Sequence, residues 1–213
     1  MIEWKISPDV IAYDQAVSYM ENRTLAIIDN KEAELVWLLA HENIYTAGSL
    51  AKESDFLEHR FKVVKTNRGG QYTYHGPGQR VIYLMLDLKK RSLQDIRLYV
   101  KMLEETIIKT LEEFGIKGER REGRVGIWVI YNFKEYKIAA IGVRVKKWVT
   151  MHGIAINIDP DLSNYNAIVP CGIKEYGVIS LKALGIKCSF EEFDKIYLKK
   201  FISVFNESKI SLI

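Results

Sequence analysis

Apolar residues recur along the chain at two spacings, and the changes between them predict helices and strands. From residue 92 onward, Ile96, Tyr99, Val100, Leu103, Ile107, Leu111 and Phe114 return every three or four positions. That spacing puts them on one side of a helix, which Gly115 can end. Ser92 with Asp95 resembles a capping box at its start. The run Ser189-Phe190-Glu191-Glu192 is a second capping signal, opening a C-terminal helix with Phe193, Ile196, Tyr197, Phe201 and Val204 on one side. Residues 10–22 predict a third helix through Val10, Ile11, Ala16, Val17 and Met20. Residues 24–29 and 34–40 predict apolar strands joined by the polar turn Asn30-Lys31-Glu32. Residues 61–65 and 80–86 predict strands flanking a glycine-rich loop, and further strands are expected at 125–131, 137–145 and 150–158. Strands thus precede and follow a long helix without regular βαβ alternation, which favours an α+β fold over a doubly wound sheet. With no repeat, low-complexity tract or linker in view, residues 1–213 are expected to form a single domain.

The 213 residues, 48% hydrophobic and 27% charged, suffice for one compact core. The formal charge of +4 comes from 31 basic and 27 acidic residues spread along the chain. No Lys/Arg block marks a nucleic-acid arm, so no nucleic-acid partner is expected; mild basicity suits an acidic protein partner. The two cysteines, Cys171 and Cys188, make no disulfide framework, and no Cys/His cluster has zinc-ligand spacing, so no metal is expected. The start Met1-Ile2-Glu3-Trp4-Lys5 lacks a signal-peptide layout, and apolar runs such as residues 35–40 are far too short for a membrane span. The expectation is a cytoplasmic protein off the membrane, and a monomer, because no exposed heptad or interface stripe is visible.

Candidate chemistry concentrates in three places. Residues 67–79 interleave four glycines and a proline with the polar side chains Arg68, Gln71, Thr73, Tyr74 and His75. Such a stretch is a tight turn between strands or a loop presenting donors to a ligand; its spacing is neither a phosphate loop nor a dinucleotide fingerprint. Lys137 heads the apolar run Ile138-Ala139-Ala140-Ile141-Gly142-Val143. An ammonium there either keeps its head in solvent or is paired and functional, because burying it alone is costly. Cys171, between Pro170 and Gly172, sits on a constrained turn and is either an inert filler or a nucleophile, while Cys188 reads as structural. His41 and His152 fit satisfied structural histidines as well as a site.

Together these pieces resemble the lipoate-protein ligase B family, the octanoyl-[acyl-carrier-protein]:protein octanoyltransferases. The resemblance spans nearly the whole chain: HENIYTAG at 41–48, RGGQYTYHGPGQ at 68–79, GIWV at 126–129, KIAAIGVR at 137–144, WVTMHGIA at 148–155 and Pro170-Cys171-Gly172. Glu42-Asn43 depart from the prolines that members often carry after the equivalent of His41, which bears on a loop and on partner fit.

The resemblance implies a biotin/lipoate protein ligase-like fold, a mixed β-sheet with packed helices. It implies transfer of an octanoyl group from octanoyl-acyl carrier protein to a lysine of lipoyl domains, in 2-oxoacid dehydrogenase complexes and glycine cleavage H-type proteins. Carried over by position, Cys171 accepts the acyl group and Lys137 activates it. Arg68, Gly69, Gly70, Gln71, Tyr72, Thr73, Tyr74 and His75, with Ala140, Ile141, Gly142, Gly153, Ile154 and Ala155, would line the acyl pocket. No cofactor is implied, since the thioester is itself the activated donor. Small side chains at Ala139, Ala140, Gly142 and Gly153 are expected to leave room for the chain. The rival readings are an ATP-dependent lipoate or biotin ligase of the same fold, an amidotransferase between lipoyl domains, and a non-catalytic carrier-binding module.

Overall fold

The structure, a computed structural model, describes residues 1–169 and 176–213. Among the described residues a nine-stranded sheet forms the backbone of the molecule. In spatial order it runs β12 (Ile210–Leu212), β1 (Ile2–Ile11), β2 (Glu34–His41), β6 (Gln79–Met85), β10 (Val149–Asn157), β9 (Lys134–Lys146), β8 (Arg124–Tyr131) and β7 (Glu119–Arg121). β11 (Gly177–Val178) joins parallel to β9. β1 pairs parallel with β12 and β2, and every pairing from β2 through β7 is antiparallel, giving the expected mixed sheet. A small second sheet has the order β4 (Val63–Lys65), β3 (Ile44–Ala47), β5 (Tyr72–His75).

The large sheet is covered on both faces, which is why residues 35–40 of β2 and 81–85 of β6 are buried in unbroken runs instead of alternating with exposed polar positions. In β2, Val36 and Leu38 join a cluster with Tyr99, Leu103, Ile107 and Leu111 of α2 (Ile96–Glu112) and Phe193, Tyr197 and Phe201 of α3 (Phe190–Phe205). The alternating Leu35, Trp37 and Leu39 pack on Ala16, Met20 and Ile27 of α1 (Tyr13–Ile28). Each of the larger aliphatic and aromatic side chains among them, withdrawn from water, contributes about 2 kcal/mol. The capping signal at Ser189 is realised: its hydroxyl accepts from the Glu192 N–H at 3.1 Å. Among the described residues no helix is long and apolar enough to cross a membrane.

Several elements differ from the sequence expectations. Residues 24–28 continue α1, with Asp29 its C-cap, instead of forming a strand: Tyr13, Ala16, Met20, Arg23, Thr24 and Ile27 are its buried stripe, so the local run of apolar and β-branched residues yields to the helix face it extends. Val10 and Ile11 end β1, and the helix begins at Tyr13. Asp95, whose carboxylate accepts from the Leu98 N–H at 3.0 Å, caps α2, while Ser92 lies outside it. Residues 72–75, expected within a loop, form β5 because they pair with β3.

Candidate active site

A cavity of about 360 Å³ opens on the α1 face of the sheet. Its floor is Val81 and Tyr83 of β6, the facing pair Ala155 and Ala140 of β10 and β9, and the backbone around Gly142 and Gly153. Residues 68–73 and His75 form its roof; Tyr13 closes one side, and Arg124, Val125 and Lys137 stand at the edge toward β8. The structure therefore gathers around one space all of the sequence-selected pocket residues except Tyr74. Tyr74 points to the other side of β5, where its hydroxyl donates to Asn43 Oδ1 at 2.6 Å and accepts from Asn164 Nδ2 at 3.0 Å. Asn43, at the departure from the family pattern, thus holds the far side of the loop strand. Sequence reasoning missed Tyr13, Val81, Tyr83, Arg124 and Val125, whose side chains belong to ordinary-looking strand and helix runs.

Lys137 reaches this space through a β-bulge. Ile127 faces Ala139, but the next residue of β8, Trp128, faces Lys137, so β9 carries one extra residue. The extra residue reverses the alternation. Ile138 and Ala139 both join the helix-covered core, while Lys137 and Ala140, three apart, both line the cavity. Gly126 makes the passage for the lysine stem. A Cβ there would lie 2.6 Å from the Ala139 carbonyl oxygen and 3.4 Å from Lys137 Cε, and its φ of 119° suits glycine alone. Lys137 is 6% exposed; its Nζ donates to the Val125 carbonyl at 3.0 Å and sits 4.7 Å from the Trp128 ring centroid. Among the described residues no carboxylate pairs with it, so a buried ammonium is held only by a carbonyl and a π face.

The loop roof is fastened from within. Arg68 donates through Nη2 to the Thr46 carbonyl at 2.8 Å, Thr46 Oγ1 at 2.7 Å and the Gln71 carbonyl at 2.9 Å, and through Nη1 to the Gly69 carbonyl at 2.9 Å. Its guanidinium thus organises the loop. The Gly69 N–H donates to the Val143 carbonyl at 3.1 Å, docking the loop on β9. This corrects the expected use of the small residues. A Cβ on Gly142 would lie 3.0 Å from the Gly69 carbonyl oxygen, and one on Gly153 2.4 Å from that of Ile82, so both glycines admit neighbouring backbone. Ala139 faces the core, which leaves Ala140 and Ala155 as the small side chains on the cavity floor.

Three buried imidazoles gather at the end away from Lys137. His41 Nδ1 lies 2.8 Å from the Ile11 carbonyl, which can only accept, so Nδ1 carries the proton and Nε2 accepts from the Tyr83 hydroxyl at 2.7 Å. The Gln79 amide NH2 meets the Asn157 Oδ1 at 2.9 Å, fixing its carbonyl oxygen toward His75 Nδ1, 2.7 Å away. Burial lowers the pKa of His41 to about 4, and burial together with nearby positive charge such as Arg68 lowers those of His75 and His152 to about 3, from an ordinary 6.5. All three are therefore neutral at physiological pH. Among the described residues no cluster of His, Cys, Asp and Glu could hold a metal ion.

Cys171 lies outside the described residues. The chain on either side is anchored: the Val169 N–H donates to the Asp55 carbonyl at 2.7 Å, and Val178 pairs with Lys137 itself. Tyr176 packs edge-on against Trp128, ring centroids 5.4 Å apart, under the Arg124 guanidinium.

The fold and the matched residues 12–202 define a member of the lipoyl protein ligase A/B catalytic domain family, to which this chain belongs. Within it, the chain is similar to the octanoyltransferase of Wolbachia pipientis wMel, 53% identical over 205 residues that cover 96% of this chain and all of that one. Among solved structures it is similar to the bipartite lipoate protein ligase of Thermoplasma acidophilum, with a TM-score of 0.74 at 14% identity, covering 100% of this chain and 88% of that chain. The biotin protein ligase of Aquifex aeolicus follows at a TM-score of 0.57 and 14% identity, over 97% and 69% of the two chains. At these identities the likeness shows the shared fold, in agreement with the expected ligase-like architecture.

Proposed function

We propose that this chain is an octanoyltransferase, which takes an octanoyl group from octanoyl-acyl carrier protein onto Cys171 and delivers it to a lysine of a lipoyl domain. The observation that carries the mechanism is Lys137: a buried ammonium without a carboxylate, at the edge of a cavity with a largely apolar floor. A thiolate is the counter-ion such a group lacks, and a thiol with an ordinary pKa of about 8.5 needs one to ionise at neutral pH. Tyr176 and Val178, five and seven residues after Cys171, are held beside Trp128 and Lys137, which supports the pairing.

The reaction balances through one shuttled proton. The Cys171 thiol has given its proton to Lys137, so the two rest as a thiolate–ammonium pair, and the thiolate attacks the carrier thioester carbonyl. The carrier C–S bond breaks, and the departing carrier sulfur takes a proton from the Lys137 ammonium. The neutral lysine then receives a proton from the acceptor amine as that amine attacks acyl-Cys171. The Cys171–acyl bond breaks, an amide is formed, and the ion pair is restored. Each methylene buried in the cavity contributes about 0.8 kcal/mol, so the chain can be held by its length.

Brief mixing with octanoyl-acyl carrier protein, followed by intact-protein mass spectrometry, tests the reading. One octanoyl adduct is expected on the native chain, none on Cys171→Ala, and discharge of the adduct on adding a lipoyl domain. An absent adduct, with transfer that requires ATP and magnesium and survives Cys171→Ala, would replace this reading with an adenylating ligase.

A further inference from the structure

The end of the cavity opposite Lys137 is more polar than an alkyl chain needs. His152 is 5% exposed, lines the cavity, and holds a φ of 59° that few non-glycine residues adopt. In β10, Thr150, Ile154 and Ile156 face the helical side, and even alternation would send His152 there too. The positive φ turns its ring to the cavity face instead, edge-on to Tyr83 at 5.8 Å, while the His152 backbone N–H donates to Met20 Sδ at 3.0 Å. Among the described residues neither ring nitrogen of His152 has a hydrogen-bond partner. The His75 ring is bound through Nδ1 to Gln79, which leaves its Nε2 as an acceptor without a protein partner there. His41 is satisfied at both nitrogens and serves as support.

A neutral imidazole offers one donor and one acceptor, so this end presents an N–H and two acceptor nitrogens, all withdrawn from bulk water. The Lys137 ammonium lies against β8 at the Val125 carbonyl, His152 sits on β10 two strand spacings away, or roughly 10 Å, and Tyr83 on β6 stands one spacing farther. A chain whose carbonyl is held at Lys137 and which crosses the floor meets the imidazoles with its far end. A methyl group there leaves the nitrogens without partners; a hydroxyl, which both donates and accepts, satisfies them.

We propose that the far end of the cavity is a hydrogen-bonding terminus, and that acyl chains with a hydroxyl group at the end distal to the carbonyl are a second substrate class of this site. The inference rests on the acyl-cavity reading above. The backbone strain at His152 follows from it, since that strain aims the ring at the ligand.

The test uses the full chain and two unreactive amides of cysteamine, octanoyl and 8-hydroxyoctanoyl, titrated by calorimetry. An apolar terminus would bind the hydroxylated amide on the order of 10- to 100-fold more weakly. The expected result is binding within about threefold of the octanoyl amide, with the 15N resonances of the His152 ring shifting for the hydroxylated amide alone. His152→Leu should shift the ratio of the two affinities toward the octanoyl amide by about tenfold or more. Because leucine at a positive φ can prevent folding, the native chain decides by itself: a tenfold or greater preference for the octanoyl amide overturns the proposal, as does an unmoved His152 resonance. Failure of the transferase reading shows elsewhere, as an absent Cys171 adduct, while the ratio of the two affinities still reports on the cavity end.

Discussion

Lys137 and the three imidazoles represent opposite treatments of a buried titratable group. The ammonium is kept near a surface of carbonyl and ring where a charge can be answered by an anion; the imidazoles are buried so that they stay neutral. Lys137→Met keeps the length and removes the charge. Single-turnover acylation should fall by about a hundredfold or more, while the melting temperature holds or rises, because a buried charge has been exchanged for an apolar side chain. For the histidines the sign follows from burial. Their pKa values in the folded chain, about 4 for His41 and about 3 for His75 and His152, lie below the ordinary 6.5, so unfolding takes up protons between those limits. Their contribution is complete above pH 6.5 and is lost as the pH falls toward the folded values, by about 1.4 kcal/mol per pH unit for each. Melting followed by circular dichroism from pH 7 to pH 5 should show this decline. His152→Asn, which tolerates the positive φ, should make it shallower.

At the scale of elements, the site depends on the β8–β9 pair more than on the glycine-rich loop alone. The bulge turns Lys137 to the cavity face, and Gly126 gives its stem room. Gly126→Ala places a methyl group 2.6 Å from the Ala139 carbonyl at a φ of 119°. A loss of about 2 kcal/mol in urea denaturation is expected, with a fall in transfer rate beyond that of a neutral surface substitution, since the lysine must shift. The bulge was not legible in the sequence: in an unbroken strand Lys137 and Ala140 fall on opposite faces. α2 and α3 were legible because their stripes of Tyr99, Leu103, Ile107 and Leu111, and of Phe193, Tyr197 and Phe201, each repeat locally. The strand expected at 24–29 failed because six residues are too few to separate a strand from the last turns of α1.

Across the whole molecule, the sheet is tied to α3 by Arg80 of β6 and Asp194, both buried, joined through two guanidinium nitrogens. The Arg80 guanidinium also stacks 4.7 Å from the Phe190 ring centroid. Arg80 adjoins Gln79, which orients His75, so this pair connects the helical layer to the polar end of the cavity. Asp194→Ala leaves a buried guanidinium uncompensated and should cost about 3–5 kcal/mol in urea denaturation. Arg80→Met combined with Asp194→Leu should recover most of that loss, because replacing both partners removes the desolvation cost together with the attraction. The pair was not visible in the sequence, as its partners stand 114 residues apart.

The sequence by itself determined the helical periods and, through its resemblance to a family, the residues expected at the site. Residues 68–75, Lys137, 140–142 and 153–155 come together as a set only through the family resemblance, since residue type and spacing alone leave the loop a plain turn and Lys137 a solvent-facing side chain as readily as a site. Only the tertiary structure decided which of them face the cavity. Tyr74 turns away, Arg68 is committed to its own loop, Gly142 and Gly153 admit backbone, and Tyr83 and Tyr13 enter. Facing depends on strand register, on one extra residue in β9 and on one positive φ at His152. Each of these is fixed by the neighbouring strand and by the layer packed upon it, so the chain's own alternation cannot specify them.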